Sequence, residues 1–244
     1  MSSACQKCPA SPTVKAHIFP QAALRGIRSR GPDSKVIAVC DDRAMTARNQ
    51  NGIFDPGILC ANCDGALGKL DKWLSESIQQ IHDCARHSRP YQPFELKIDP
   101  ELAIRFSVSV LYRASLSLRS EFQSINLGRY AKVAEEIAFG GDGIFPYHPI
   151  VMINVLTSIN VDTRQFVFYP VKCSNGNGQY YIFVISGLEF LVKFGGRISG
   201  LSSADDPSQY LRLRVGQPVV TVSYPFEESG EGNFLSDIKR RSRQ

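Results

Sequence analysis

Two Cys-x-x-Cys pairs constrain the fold of this chain more than any other feature of its sequence. Cys5 and Cys8 form the first pair, and Cys60 and Cys63 form the second. Each pair can direct two thiolates at one zinc ion at about 2.3 Å, and four thiolates complete a tetrahedral structural site. Because the first residues lack the apolar run of a secretory signal, metal binding is favoured over disulfides. We predict that the two pairs meet around one zinc ion and that the protein is cytoplasmic.

The overall composition is that of an ordinary soluble chain, with 43% hydrophobic and 21% charged residues in a length of 244. This length suits one large domain or two modest ones. No stretch reaches the roughly 18 to 20 apolar residues that cross a bilayer, and the longest apolar segments have the length of strands. We therefore expect no membrane-spanning segment.

The sequence pattern changes after a long helix in the N-terminal part of the chain. Residues 58–88 predict this helix, because apolar side chains recur at helical spacing from Leu67 to Ile81. The segment 89–100 contains three prolines and is typical of a linker. We predict two domains, a zinc module with its long helix over 1–88 and an α+β domain over 89–244.

The second part begins with helical patterns and ends with strand patterns. Asp99 and Pro100 are a typical helix start, with Asp as the cap and Pro in the first turn, and a second helix over 127–139 ends at Gly140. Beyond it, segments rich in β-branched and aromatic residues predict a mostly antiparallel sheet, which gives an α+β fold. The predicted strands cover 150–159, 165–173, 179–186, 188–194, 210–215 and 218–226.

The residues around the cysteine pairs resemble those of the HNH endonuclease family. The first pair is followed by KAHIFP, and the second pair is preceded by NGIFDPGIL and opens a helix. The resemblance covers residues 1–75, and its specific parts are the cysteine frame and AHIFP. It implies a ββα-metal fold, in which two strands and a helix hold one divalent ion and a strand histidine acts as general base.

The resemblance also assigns roles to single residues. His17 matches the general-base histidine, and Asp55 matches the residue that orients it. Asp64, directly after Cys63, falls where the family has a metal-binding histidine, and as an oxygen ligand it would favour Mg²⁺ or Mn²⁺. Ala16 falls where many members have a metal-binding Asp or His, and alanine cannot bind a metal.

The implied activity is metal-dependent hydrolysis of DNA phosphodiester bonds. A neutral His17 would take a proton from the attacking water, while a bound divalent ion would stabilise negative charge on the phosphate. Bacterial nucleases of this build often belong to defence systems or mobile elements.

Three of these residues also have ordinary structural explanations. His17 could be a strand histidine that is hydrogen-bonded at the surface of the module. Asp55 could cap a helix that begins near Ile58, and this role is compatible with orienting the histidine. Asp64 could be a solvated carboxylate in the first turn of the helix.

Two further charged residues belong to helical segments. Asp71 lies two helical turns beyond Asp64, too far along the axis for both to bind one ion directly, so it could act through water or from outside the ligand set. Arg113 falls within an apolar helix, where a buried guanidinium needs a carboxylate partner that the sequence does not identify.

The net charge of +5 is concentrated in two clusters. Arg25, Arg28 and Arg30 form one, and residues 239–243 form the other. Such clusters fit contact with nucleic-acid phosphates, and we take the first as a candidate DNA contact, although on charge alone a solubilising surface is the simpler interpretation.

Three functions follow from these patterns. The leading one is a metal-dependent HNH-like DNA endonuclease, with the second domain serving recognition, assembly with a partner protein or self-association. The alternative is a non-catalytic zinc module that binds nucleic acid or a partner protein, with Ala16 marking a lost active site. A third makes the C-terminal sheet a ligand sensor that controls the nuclease.

Overall fold

The computed structural model describes eight stretches of the chain. They are 4–28, 37–39, 53–87, 93–141, 149–157, 163–175, 178–195 and 219–225. In these residues helices and a mostly antiparallel sheet pack around a shared hydrophobic cluster. In this described part of the chain, no helix combines the length and apolar character needed to cross a membrane.

The N-terminal part contains a small ribbon of two short strands. Strand β1 (Ala16–His17) pairs antiparallel with β3 (Phe54–Asp55). Between them along the chain lie helix α1 (Gln21–Arg28) and strand β2 (Ile37–Val39). Strand β2 is not part of the ribbon and belongs instead to the large sheet.

Helix α2 (Ala61–Arg86) follows the ribbon directly and is the long helix predicted from apolar spacing. Its buried face carries Leu67, Leu70, Leu74, Ile78 and Ile81, all at most 9% exposed. A stripe at this spacing faces the core because 3.6 residues make one turn. The sequence prediction of this helix is confirmed.

Of two further helices, the first begins where the sequence indicates and the second ends where it indicates, although the second begins at Ala131 and not at residue 127. Helix α3 (Pro100–Leu116) is capped by Asp99, whose side chain accepts hydrogen bonds from the backbone amides of Glu101 and Leu102. Helix α4 (Ala131–Phe139) ends at Gly140, which has φ of 75°. Glycine adopts this left-handed conformation without steric cost, and such a residue stops a helix.

The large sheet has seven strands in the order β2-β6-β7-β8-β5-β9-β4. The strands not yet introduced are β4 (Pro93–Leu96), β5 (Ile150–Thr157), β6 (Phe166–Asn175), β7 (Gly178–Ile185), β8 (Leu188–Lys193) and β9 (Val219–Pro225). Four neighbouring pairs are antiparallel. The pairs β2–β6 and β5–β9 are parallel. The predicted α+β class with a mostly antiparallel sheet is confirmed.

The predicted strand over 210–215 lies outside the described residues. The two-domain division after residue 88 stays a prediction. Buried residues from both sides of it belong to one hydrophobic cluster, and β2, from the first part, pairs with β6 of the second.

A chain of aromatic rings connects the helices to the large sheet. Trp73 of α2 lies 5.9 Å from Phe106 of α3, and Phe106 lies 5.5 Å from Phe190 of β8, measured between ring centroids. Phe190 stacks on Phe183 of β7 at 4.9 Å. Phe19, just after β1, lies 6.1 Å from the same Phe183. These contacts fix the ribbon and α2 against the sheet, because closely packed rings resist rearrangement.

Candidate functional site

The four cysteines predicted to share a metal ion come together in the structure. The sulfur atoms of Cys5, Cys8, Cys60 and Cys63 all lie within 4.8 Å of one another. The Cys8 sulfur is 3.7 Å from those of Cys60 and Cys63. A tetrahedral ion bonded to four sulfurs at about 2.3 Å requires sulfur–sulfur distances of about 3.8 Å. The predicted clustering is confirmed, and its dimensions fit zinc.

Backbone hydrogen bonds bring the two pairs together across the sequence. The amide of Gln6 donates to the Ile58 carbonyl oxygen at 3.0 Å, and the amide of Val14 donates to the Leu59 carbonyl oxygen at 2.8 Å. Cys60 occupies the position before the first residue of α2. The second pair therefore starts a helix, and the loop with the first pair lies alongside that start.

The environment of the cluster favours at least one thiolate. Burial opposes ionisation of Cys5, but hydrogen bonds from the backbone amides of Cys60, Lys7 and Cys8 outweigh it and lower its pKa to about 6. Burial and then the neighbouring sulfurs raise the pKa of Cys63. Four crowded thiols cannot all ionise without a cation between them, so the chemistry of this donor set matches a divalent metal.

An ion pair connects the first cysteine loop to α4. Lys7 lies 2.8 Å from a Glu135 carboxylate oxygen, and the Tyr112 hydroxyl donates to the other oxygen at 3.3 Å. Lys132 also lies 3.0 Å from this carboxylate. The cysteine loop is thus attached to the helices of the second part of the chain.

The ribbon beside the cluster presents His17 on its outer side. In the β1–β3 pair, His17 lies opposite Phe54, and their rings are 6.1 Å apart. Ala16 lies opposite Asp55, and these two are 0% and 7% exposed. Neighbouring residues of a strand point to opposite faces, so His17 is on the more open face while Ala16 and Asp55 face the interior.

Asp55 is held away from His17 by two other partners. One carboxylate oxygen accepts a hydrogen bond from the Gly57 amide at 2.8 Å, and the other accepts one from the Ser117 hydroxyl at 2.6 Å. The structure therefore does not bring Asp55 to the imidazole that it was predicted to orient. Nor does it cap α2, since that helix begins at Ala61 and Asp55 closes a turn before it. The capping explanation is wrong, because the turn at residues 56–57 separates the strand from the helix.

Asp64 lies in the first turn of α2, as predicted, and is half-buried. Burial raises its pKa, and the nearby Asp71 carboxylate adds to this, while Arg113 and His17 oppose it. These groups are therefore close enough to feel one another's charge, which brings His17 and Asp64 into one electrostatic neighbourhood. A shared catalytic site of Asp64 and His17 stays a prediction.

Arg113 occupies the centre of this neighbourhood and was not assigned a role from the sequence. Its side chain is 1% exposed. It donates two hydrogen bonds to the Asp71 carboxylate, at 3.0 and 2.8 Å, and one to the His17 carbonyl oxygen at 2.6 Å. Asp71 is thus the carboxylate partner that the sequence could not identify. The available signal was an arginine within an apolar helix, which requires such a partner but does not name it.

In the part of the chain that the structure describes, the four cysteines are the only group of three or more metal-binding side chains close enough to share an ion. A second ion at Asp64 thus has no preformed set of three protein ligands among these residues. Its role as ligand to Mg²⁺ or Mn²⁺ stays a prediction.

Two of the three arginines predicted to contact DNA lie among the described residues. Arg25 and Arg28 belong to helix α1, and Arg30 lies outside the described residues, as does the basic cluster at 239–243.

Comparison of the chain with protein-family models, with curated proteins and with solved structures gave no match. The geometry of the site and the sequence motifs are therefore the basis for a functional proposal.

Proposed function

We propose that this protein is a metal-dependent HNH-like endonuclease that hydrolyses DNA phosphodiester bonds. The observation that carries the proposal is the position of His17. Its ring lies on the more open face of a strand ribbon, and its charge couples to Asp64 at the start of the following helix. A histidine on the more open face, with a carboxylate near enough to feel its charge, supports the assignment of a general base and an ion ligand.

The order of elements supports the proposal. Two antiparallel strands are followed by a helix, and a four-cysteine cluster joins the helix start to the chain before the first strand. This arrangement is compatible with the ββα-metal fold that the AHIFP motif and cysteine frame suggest. The zinc at the cluster would have a structural role, because four protein ligands leave no open coordination position.

Each residue of the proposed site has its own role in the reaction. His17, when neutral, accepts the proton of an attacking water. Asp64 offers a carboxylate oxygen to Mg²⁺ or Mn²⁺, and such an ion supplies stabilisation of the charge on the phosphate. Arg113, held by Asp71, donates a hydrogen bond to the His17 carbonyl oxygen and so fixes the position of the backbone that carries the imidazole. Arg25, Arg28 and Arg30 are proposed to contact the DNA backbone.

A second candidate is a non-catalytic zinc module that binds nucleic acid or a partner protein. Two observations favour it. Asp55 accepts hydrogen bonds from Gly57 and Ser117 and does not orient the His17 ring. Ala16 is at a position where the family often has a metal ligand, and it faces the core. In the leading proposal the domain over 89–244 serves recognition, assembly or self-association.

A plasmid-nicking assay with Mg²⁺ or Mn²⁺ tests the proposal. We expect His17→Ala to abolish nicking while keeping one zinc per chain, and His87→Ala, an exposed histidine at the end of α2, to cut like the wild type. A weaker divalent site, detected by titration with Mn²⁺, should be lost in Asp64→Asn.

If wild-type protein never nicks DNA, or if His17→Ala nicks as fast as wild type, the endonuclease proposal fails. DNA binding that persists without cutting, and is unaffected by His17→Ala, would then support the non-catalytic alternative.

A further inference from the structure

A cavity of about 540 Å³ opens between the segment that leads into α4 and the strands β6, β7 and β8. Residues 126–130 form one side of it, and Lys172, Tyr181 and residues 193–195 contribute to the other. Small-molecule sites typically occupy about 300 to 1,000 Å³, so the size suits one small ligand. Neither the four cysteines nor His17 nor Asp64 lines this cavity, so it is distinct from the site described above.

Aromatic side chains form a fixed wall of the cavity. Tyr130 stacks on Phe194 with 5.6 Å between centroids, and Tyr181 meets Phe194 edge-on at 6.2 Å. The Tyr181 hydroxyl donates to the Asn126 carbonyl oxygen at 2.8 Å, which fixes its ring. A Cβ atom at Gly195 would lie 2.5 Å from the Tyr130 hydroxyl oxygen. A side chain at this position would therefore have to displace Tyr130, and the φ of 68° at Gly195 also favours glycine.

The charged groups at the cavity are all positive. Arg129, Lys172 and Lys193 line it, and no Asp or Glu stands among the lining residues. Within the described chain, Arg129 and Lys172 form no ion pair with a carboxylate, whereas Lys7, Arg113 and Arg119 each do.

Arg129 is also held in place. Its guanidinium lies 4.9 Å from the centre of the Tyr130 ring and donates to the Tyr130 hydroxyl at 2.8 Å. Arg129 and Lys172 are thus positive side chains that no carboxylate of the described residues neutralises, and they lie beside a cavity with aromatic walls. Such a site is complementary to an anion that carries a flat ring.

We propose that this cavity binds a nucleotide, with its phosphates at Lys172 and Arg129 and its base against the aromatic wall. The two kinds of lining residue match the two halves of such a ligand. Charge attracts the phosphates, and burial of the ring against Tyr130, Tyr181 and Phe194 adds affinity that a bare anion lacks.

Calorimetric titration of the full-length protein with ATP and with pyrophosphate tests the proposal. We expect saturable binding of ATP, tighter than that of pyrophosphate. Arg129→Gln and Lys172→Gln should each weaken ATP binding by about tenfold, the effect of one lost charge-assisted hydrogen bond. Lys97→Gln, an exposed lysine that does not line the cavity, is the matched control and should leave the affinity unchanged.

Three results would overturn the proposal. Absence of saturable ATP binding to the wild type excludes the site. Pyrophosphate that binds as tightly as ATP shows that the ring makes no contribution and that the site accepts a simple anion. Tighter, Lys172-dependent binding of a single-stranded oligonucleotide would make the cavity part of a nucleic-acid groove instead. None of these results depends on whether His17 cuts DNA, so the two proposals can fail separately.

Discussion

The Arg113 guanidinium and the Asp71 carboxylate form a two-pronged ion pair, with nitrogen–oxygen distances of 3.0 and 2.8 Å. The pair joins α3 to α2, and a third hydrogen bond from Arg113 to the His17 carbonyl oxygen joins both helices to the ribbon. The Arg113 side chain is 1% exposed and that of Asp71 is 19% exposed, so water can reach the carboxylate but not the guanidinium. The pair therefore ties three elements together at the candidate site.

Breaking this pair from either side is expected to destabilise the fold. Asp71→Asn should lower the free energy of unfolding by about 3 to 5 kcal/mol, because the buried Arg113 charge loses its partner. Arg113→Met should cost less, because the Asp71 carboxylate that it leaves unpaired is partly exposed to water. In urea unfolding, the double variant should cost clearly less than the sum of the two single changes. The exposed pair Lys72–Glu76 provides the control, and Lys72→Gln should cost at most about 0.5 kcal/mol. Strict additivity of the two buried changes would contradict the coupling.

The cysteine cluster is expected to hold one zinc ion per purified chain, measured by elemental analysis. Cys60→Ser should release the zinc and lower the thermal unfolding temperature, because binding energy at a structural zinc site is also folding energy. Cys173→Ser is the control, since Cys173 lies in β6 outside the cluster, and this variant should retain the metal. Full zinc occupancy in Cys60→Ser would show that the cluster is not the binding site.

Introducing an acidic residue at position 16 should not create a working metal ligand. Ala16 is 0% exposed, so Ala16→Asp places a carboxylate in the interior, at a cost of roughly 3 kcal/mol or more without a partner. Lys15→Asp introduces the same group at the neighbouring exposed position and should cost less than about 1 kcal/mol. Denaturant unfolding of both variants makes the comparison. If Ala16→Asp is as stable as wild type and increases nicking, the inward orientation of this position is wrong.

The Arg119–Glu121 pair predicts a pH dependence of stability. The Arg119 guanidinium donates hydrogen bonds to a Glu121 carboxylate oxygen at 2.6 Å and to the Phe54 carbonyl oxygen at 3.1 Å. The hydrogen bond from Arg119 holds the pKa of Glu121 below its ordinary value. A lowered carboxyl pKa gives stability that is present above the ordinary value and is lost as the pH falls through the lowered one.

Glu121→Gln should therefore cost about 0.5 to 1 kcal/mol near neutral pH and less near pH 3, below the ordinary value of the carboxyl group. Urea unfolding at both pH values measures this, with the exposed Glu95→Gln as control. A cost that is the same at both pH values would rule out the charge of Glu121 as its source.

Local patterns were sufficient for the main elements of the fold. The apolar spacing in α2, the Asp99 cap and the Gly140 stop act within a few residues, so the sequence alone predicts them. The cysteine cluster was predictable as well, because two matching pairs have few arrangements other than a shared metal.

The sequence by itself thus determined helices α2, α3 and α4, the mostly antiparallel sheet and the meeting of four cysteines. Only the tertiary structure decided the partners of Arg113 and Asp55. Asp71 lies 42 residues from Arg113, and Ser117 lies 62 from Asp55, so both contacts depend on how α3 packs against α2 and the ribbon. The ribbon register, set by hydrogen bonds between residues far apart in the chain, turned Asp55 inward and left His17 on the open face.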